Sequence, residues 1–298
     1  KKYKGTVIES IIKGKISLDA IFKNMFWGDY GVDQGFFRKA NLNPHKNRKK
    51  LEESSNFFKM SLWSMRKIWL YLDIIGACSY ADKCNVIISW FIDKPTLFEE
   101  VFGFPLYKKD SEGNYQINAS YILLDMFIWK NSTKNGGKLF RKNGEKTEVI
   151  EQFLGKEQEY MFYGIGDNWI NCLKEYILSK TNKLEITNEI IDIDAMTTRV
   201  DINNLIPNLK NDLKCGKKIS LTVFNRPNTS VTYTNTDTGE KQLTKDWEPN
   251  EGHIVTVIDI TDSEFIVDSW GGRFSISFKE LNEAQNYVID VQSIDYKD

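Results

Sequence analysis

Apolar residues recur at helical spacing through the first two-thirds of the chain. Ala81, Cys84, Ile88 and Phe91 lie three or four residues apart, and Pro95 follows them, so the spacing predicts a helix that ends before the proline. Similar patterns predict helices in FFKMSLWSMRKIWLYLD, NASYILLDMFIWK, DNWINCLKEYILSK and DINNLIPNLKNDLKCGKK, the last closed by Gly216. The charge-dense stretch over residues 41–55 predicts a surface loop.

The pattern changes to strands near residue 200. Runs rich in β-branched and aromatic residues predict strands at ISLTVF, HIVTVIDI, EFIVDSW, RFSISF and YVIDVQSI. A polar stretch with many turn residues, 225–252, separates the first two. Helices followed by an antiparallel sheet predict an α+β fold. We expect one domain over residues 1–298, with a helical lobe over about residues 1–200 and a β lobe over about residues 201–298.

Composition excludes several classes of protein. The 298 residues include 13 % aromatics, so the chain can bury a large core and disorder is excluded. The 40 Lys and Arg residues against 41 Asp and Glu give no basic excess, which argues against a nucleic-acid partner. No apolar run is long enough for a membrane-spanning helix, so none is expected.

Scarce residue types narrow the chemistry. The four cysteines lack CxxC spacing, so we expect no zinc ribbon and no disulfide framework. A mechanism based on Cys, His and Asp side chains implies no metal and no organic cofactor. Only two histidines are present, and His253 opens a predicted strand after a long polar stretch. Asp268 follows it by fifteen residues, at the end of the next strand. A hairpin of that size can bring the two side chains together, and Asp268 would then accept the imidazole N–H.

Cys78 is the candidate nucleophile for this pair. It lies near the start of the predicted helix, where the helix dipole lowers a thiol pKa and a neighbouring imidazolium would lower it further. Its backbone N–H would also point at a developing oxyanion. Cys84 is the competitor, but it falls on the apolar face of the helix. Cys172 and Cys215 are interpreted as structural.

These residues resemble a known family. HIVTVIDI followed by IVDSWGG is similar to the His and Asn-Ser-Trp-Gly blocks of papain-like cysteine proteases, with Asp268 in place of Asn. The chain resembles more closely the IdeS/Mac-type immunoglobulin-degrading cysteine endopeptidases, in which Asn, Trp and Phe follow the nucleophile at +7, +12 and +13. Asn85, Trp90 and Phe91 stand at these offsets from Cys78 and favour it over Cys84.

The resemblance implies a papain-like fold and a Cys78–His253–Asp268 triad. It also implies an immunoglobulin heavy chain, cut near the hinge, as the protein substrate. We therefore expect a secreted or cell-surface virulence factor that serves immune evasion, although no signal segment is present in this chain.

The chain departs from the family at two places. The family usually has a second Asp two residues after the triad Asp. This chain has Trp270 at that position, and papain also has Trp there. The family's Gln-Gly-aromatic-aromatic block resembles residues 34–37, which makes Lys39 the nearest candidate for an oxyanion-hole lysine. The separation of Lys39 from Cys78 is longer than in the family, so Gln34 is an alternative donor, by analogy with papain.

Two other functions are compatible with these residues. The first is a papain-like effector or toxin protease, or an acyltransferase, that acts on another protein. The second is an inactive module that only binds immunoglobulin, against which the complete Cys, His and Asp set argues.

Overall fold

The computed structural model describes residues 36–58, 60–75, 77–109, 115–132, 169–194, 199–249 and 251–297. The chain divides into two compact units, Lys1–Asn182 and Lys183–Asp298. The described part of the first is mostly helical, and that of the second is mostly strand, so the predicted α+β class is confirmed. Among the described residues, no helix combines the length and the apolar character needed to cross a membrane.

The first unit is built from helices and one short hairpin. Its described helices are α1 (Phe36–Leu42), α2 (Arg48–Phe57), α3 (Leu62–Ile75), α4 (Cys78–Phe91), α5 (Pro95–Phe102), α6 (Ala119–Ser132) and α7 (Trp169–Lys180), and its hairpin pairs β1 (Tyr107–Lys109) with β2 (Tyr115–Ile117). The predicted helices at α3, α4, α6 and α7 are confirmed. Helix α5 begins with a proline at its first position and ends at Gly103, which adopts a left-handed φ of 80°.

The second unit is a single antiparallel sheet with short helices. Its strands are β3 (Leu184–Asp194), β4 (Lys218–Phe224), β5 (Thr232–Asn235), β6 (Lys241–Leu243), β7 (Gly252–Ile260), β8 (Glu264–Ser269), β9 (Gly272–Ser277) and β10 (Asn286–Tyr296), and its helices are α8 (Ile206–Lys214) and α9 (Phe278–Ala284) with 3₁₀ turns at Ile202–Asn204 and Thr244–Asp246. The strand order is β3-β10-β4-β7-β8-β9-β5-β6. The five strands predicted from sequence are all present.

One face of this sheet carries the apolar core. Because side chains alternate along a strand, Ile219, Leu221, Val223, Val255 and Val257 lie on the same face of β4 and β7, and all are buried. Other strands of the sheet add further apolar side chains to this cluster, and helices α8 and α9 contribute residues such as Leu209 and Leu281. His253 has the same alternation as Val255 and Val257, so it faces this core.

The predicted end of α8 is confirmed in detail. Gly216 has φ +85°, its N–H donates to the carbonyl of Leu213, and the N–H of Lys217 donates to the carbonyl of Asp212. This is the Schellman arrangement, which satisfies carbonyls at a helix end and favours glycine because glycine has no Cβ.

Three sequence expectations differ from the structure. Residues 48–57, expected in a loop, form α2, where Arg48 donates to Glu52 one turn along at 2.8 Å. The polar stretch 225–252 includes β5, β6 and a 3₁₀ turn. Strand β3 was missed, and because it pairs along its length with β10, the second unit begins at Lys183 rather than near residue 201.

Candidate functional site

Cys78 is the first residue of α4, as the sequence predicts. Ala77 occupies the N-cap position without a side-chain cap, and the carbonyl of Ala77 accepts the first intrahelical bond from Ala81 at 2.8 Å. Amides in the first turn of a helix have no i–4 carbonyl within it, and the dipole makes this end favourable for negative charge. Cys78 is half-buried at this end of the helix.

The other cysteines occupy different environments. Cys84 is fully buried on the apolar face of α4, and burial raises the pKa of its thiol far above the ordinary value of 9. Burial also raises the pKa of Cys172 to about 12. Cys215 is exposed at the end of α8, and none of the four thiols forms a disulfide. Cys78 thus combines partial exposure with a helix start, as an activated thiol requires.

His253 lies in an aromatic cage within the second unit. Its ring stacks on Trp270, with centroids 4.1 Å apart and planes 5° from parallel. The rings of Trp247 and Tyr233 approach edge-on at 5.7 and 5.9 Å. Imidazole Nε2 lies 2.7 Å from the hydroxyl of Ser269, so this hydrogen bond and the stacked ring fix the orientation of the imidazole.

Asp268 lies on β8, the strand next to that of His253, but on the opposite face of the sheet. It stands directly across from Thr256, three residues after His253, and an odd separation along a strand places side chains on opposite faces. The carboxylate of Asp268 accepts a hydrogen bond from Arg273 Nε at 3.0 Å. The expected Asp268–His253 hydrogen bond is therefore not formed, and Ser269 occupies the place of the imidazole partner.

A β-bulge explains this exchange. Between Ile260 and Phe265 the register of β7 and β8 is set by their connecting turn, but it shifts by one residue between Val257 and Asp259. If Ile258 were paired in the register set by the turn, Asp268 would lie across from Val257, on the face of His253. The bulge leaves Ile258 unpaired in β7, which turns His253 to the face opposite Asp268, where Ser269 lies.

Burial sets the protonation of both groups. It lowers the pKa of His253 from its ordinary value of 6.5 to about 3, so the imidazole is neutral at physiological pH. The imidazolium that was expected to assist the thiol is therefore not the resting form. Burial raises the pKa of Asp268 to about 6, although Arg273 opposes this shift.

Of the two oxyanion candidates, Lys39 falls within α1, and Gln34 lies outside the described residues. Cys78 belongs to the first unit, whereas His253 and Asp268 belong to the second. Among the described residues, no group of three or more His, Cys, Asp or Glu side chains could hold a metal ion.

Sequence reasoning missed the surroundings of His253. Ser269 and the cage residues Tyr233, Trp247 and Trp270 were not predicted to contact the imidazole. The signal for Ser269 and Trp270 was their place directly after Asp268 at the end of β8, but choosing among these three residues required the register. Chemically, the second unit holds an oriented neutral base, and the first holds a half-buried thiol at a helix start.

Comparisons with known proteins do not assign the chain to a family. No protein-family model matches the sequence, and no curated protein matches it.

Proposed function

We propose that the protein is a papain-like cysteine endopeptidase in which Cys78 is the nucleophile and His253 is the general base. The observation that carries the proposal is the environment of His253. A neutral imidazole, stacked on one aromatic ring and held through Nε2, has its other nitrogen, Nδ1, as the basic atom when Nε2 carries the proton. An imidazole held in one orientation is suited to take the proton of a thiol, although the burial that lowers its pKa also weakens it as a base.

The proposed reaction assigns one task to each group. Nδ1 of His253 takes the proton of the Cys78 thiol, and the thiolate sulfur attacks the peptide carbonyl carbon. The Cys78 amide binds the oxyanion together with a side chain, for which Lys39 and Gln34 are the candidates. The imidazolium then returns its proton to the leaving amine, and water activated by the imidazole hydrolyses the thioester. The proposal requires the thiol and the imidazole to meet in the active protein.

Ser269 is the proposed positioning residue in this scheme. When Nε2 carries the proton, the Ser269 hydroxyl accepts a hydrogen bond from Nε2–H and takes the orienting role that sequence reasoning gave to Asp268. A hydroxyl carries no charge, which fits an imidazole that rests neutral. The substrate we propose, an immunoglobulin heavy chain cut near the hinge, is supported by the sequence resemblance alone. A secreted or cell-surface location is proposed on the same ground.

Competitive alkylation of the full-length protein tests the nucleophile. Iodoacetamide labelling, quantified by peptide mass spectrometry, compares Cys78 with Cys215, which is the more exposed of the two. If exposure alone sets reactivity, Cys215 is labelled faster. Activation at the helix start predicts the reverse order, and slower labelling of Cys78 at neutral pH would contradict the proposal.

Turnover tests the reaction and the substrate. Cys78→Ala should abolish cleavage of purified immunoglobulin while leaving the circular dichroism spectrum unchanged, and Cys215→Ala is the matched control that should retain activity. Near-normal cleavage by Cys78→Ala would refute the nucleophile. Cleavage of other proteins but not of immunoglobulin would support the endopeptidase activity and contradict the proposed substrate. Selective labelling of Cys78 without any hydrolysis would indicate an acyltransferase.

A further inference from the structure

The outer edge of β3 presents backbone groups that another chain can reach. Strand β3 lies at one end of the described sheet, next to β10. The N–H of Lys297 donates to the carbonyl of Lys183, and alternate residues of an antiparallel strand point to the same partner, so the odd-numbered residues of β3 bond to β10. The N–H and C=O groups of Ile190 and Asp192 therefore point away from β10. Ile190 is 38 % exposed and Asp192 is also exposed, so these four groups are accessible.

A pocket of about 410 Å³ lies beside this part of β3, on the face of the sheet that α8 covers. Strand β3 lines it with Glu189 and Ile191, strand β10 lines it with Val291, and α8 and the residue before it line it with apolar side chains that include Leu205 and Leu209. A strand added to the edge of β3 would place every second side chain on this same face. The pocket is therefore a receptor for side chains of an added strand.

The charge of this face favours a basic partner. No Lys or Arg is among the residues that line the pocket. Lys217 forms an ion pair with Asp212 at 2.7 Å, and the Glu189 carboxylate also attracts it. Two carboxylates and one ammonium leave one negative charge beside the pocket. Glu185 lies on the same face of β3, and β3 has no Lys or Arg of its own.

We propose that β3 and α8 bind an extended basic segment of a partner protein, which adds to the outer edge of β3 as an antiparallel strand. Main-chain hydrogen bonds to Ile190 and Asp192 give this binding its affinity, and the side chains that reach the pocket give it specificity. The antiparallel direction continues the pairing of β3 with β10. A second copy of β3 would bring carboxylates together, so the charge of the edge selects against it.

Alternate residues of the bound segment face the pocket. A lysine opposite Glu189 forms a cross-strand ion pair with that carboxylate. A lysine opposite Ile191 lays its methylene groups over the isoleucine and towards the apolar lining of the pocket, while its ammonium stays in water. The residue between them, opposite Ile190, forms the main-chain hydrogen bonds to β3. This binding needs no peptide cleavage, so it stands apart from the proposed endopeptidase activity.

Nuclear magnetic resonance on the full chain tests the binding. The isotope-labelled Cys78→Ala protein is titrated with Ac-Thr-Lys-Thr-Lys-Thr-NH₂ and with its Gln version, in which both lysines are replaced. The Lys peptide should shift the amide signals of Ile190 and Asp192 and slow the exchange of these two amide protons with solvent. It should bind about threefold more tightly than the Gln peptide, and salt should reduce that difference. Unchanged Ile190 and Asp192 signals at millimolar peptide would overturn the proposal, as would equal affinity for the two peptides.

N-methylated peptides test strand addition without altering the protein. In an antiparallel pair, the threonine N–H groups of the Lys peptide point to β3 and the lysine N–H groups point away. N-methylation of the central threonine should therefore abolish binding, whereas N-methylation of one lysine is the matched control and should preserve it. Equal binding by the two methylated peptides would refute strand addition.

Variants of the chain assign the effect to this edge and this charge. Glu189→Gln should remove the preference for the Lys peptide, whereas Glu240→Gln, at an exposed position before β6, should keep it. Ile190→Pro removes an outward N–H without removing a bond to β10, and it should weaken both peptides. A preference that persists in Glu189→Gln would refute the charge assignment. Sedimentation that shows a dimer of the wild-type protein and a monomer of Ile190→Pro would identify a second copy as the occupant and refute the basic segment.

Discussion

Asp268 and His253 make opposite contributions to the pH dependence of stability, and replacing one of them should reveal the other. The pKa of His253 falls from 6.5 to about 3 on folding, so its contribution is present above pH 6.5 and is lost as the pH falls towards 3. The pKa of Asp268 rises from 3.8 to about 6, so its contribution is present below pH 3.8 and is lost as the pH rises through 6.

The two contributions nearly cancel between about pH 4 and pH 6. In that window the unfolded chain holds a proton on the histidine and the folded chain holds one on the aspartate. Equal numbers of bound protons leave the free energy of unfolding nearly independent of pH, as far as these two groups decide it. Each group alone would change the free energy of unfolding by up to about 1.4 kcal/mol per pH unit.

Asp268→Asn should therefore make the protein sensitive to acid. With only His253 remaining, the free energy of unfolding should fall by about 2–3 kcal/mol between pH 6 and pH 4, compared with the wild type over the same interval. His253→Gln should do the reverse and gain about 2 kcal/mol over the same interval, because Asp268 then acts alone.

Urea unfolding at several pH values measures these changes. Tryptophan fluorescence follows the unfolding of both units, since Trp247 and Trp270 surround the imidazole and the other tryptophans of the eight belong to the first unit. Comparing each variant with the wild type at the same pH removes the contribution of the remaining titratable groups. Identical pH profiles for the wild type and both variants would refute the reasoning, because they would mean that neither group's pKa changes on folding.

Three further outcomes are expected. Ser269→Ala should lower kcat about tenfold and change the pH profile of kcat, because the imidazole loses its hydrogen bond. Ser269→Thr keeps a hydroxyl and should restore part of the rate. An unchanged kcat in Ser269→Ala would show that Ser269 has no role in the mechanism. Lys83→Met should lower the free energy of unfolding by about 3–5 kcal/mol, measured by chemical denaturation. The Lys83 ammonium lies 3.2 Å from the fully buried Asp82 carboxylate, which loses this partner in the variant. Adding Asp82→Asn should recover part of the stability. Gly252→Ala should lower the free energy of unfolding by about 1–3 kcal/mol, because a Cβ there would lie 2.7 Å from the Phe224 ring. A free energy of unfolding equal to that of the wild type would show that the ring moves away at no cost.

The sequence was sufficient for most of the elements because their signals are local. Helix α4 has a periodic apolar face and a proline after its end, and α8 ends at a glycine that the left-handed cap requires. Strand β3 was missed because it lies at the edge of the described sheet and its alternating residues include charged side chains. Its partner in that sheet, β10, is about a hundred residues away. The pairing of β3 with β10 is a long-range contact, which no short stretch of the sequence shows.

The site shows the same division between local and non-local information. Cys78 could be chosen because a helix start and its family offsets are visible in the sequence. The hydrogen-bond partner of the imidazole could not be chosen from sequence. The identity of that partner depends on the register of β7 with β8, which changes where a residue between the turn and His253 is left unpaired. Ile258 adds one unpaired residue there, and that addition decides between two adjacent side chains of different charge.

The position of β10 within the sheet also sets when the second unit can be completed during synthesis. Strand β10 lies between β3 and β4, so β3 has no neighbour in the described sheet until residues 286–296 have been made. At ordinary translation rates, the roughly one hundred intervening residues take about 5–20 s. During that interval β3 exposes unpaired backbone groups, a known risk for aggregation. Its four carboxylates, at Glu185, Glu189, Asp192 and Asp194, would repel a second nascent copy of the strand and keep it available for β10.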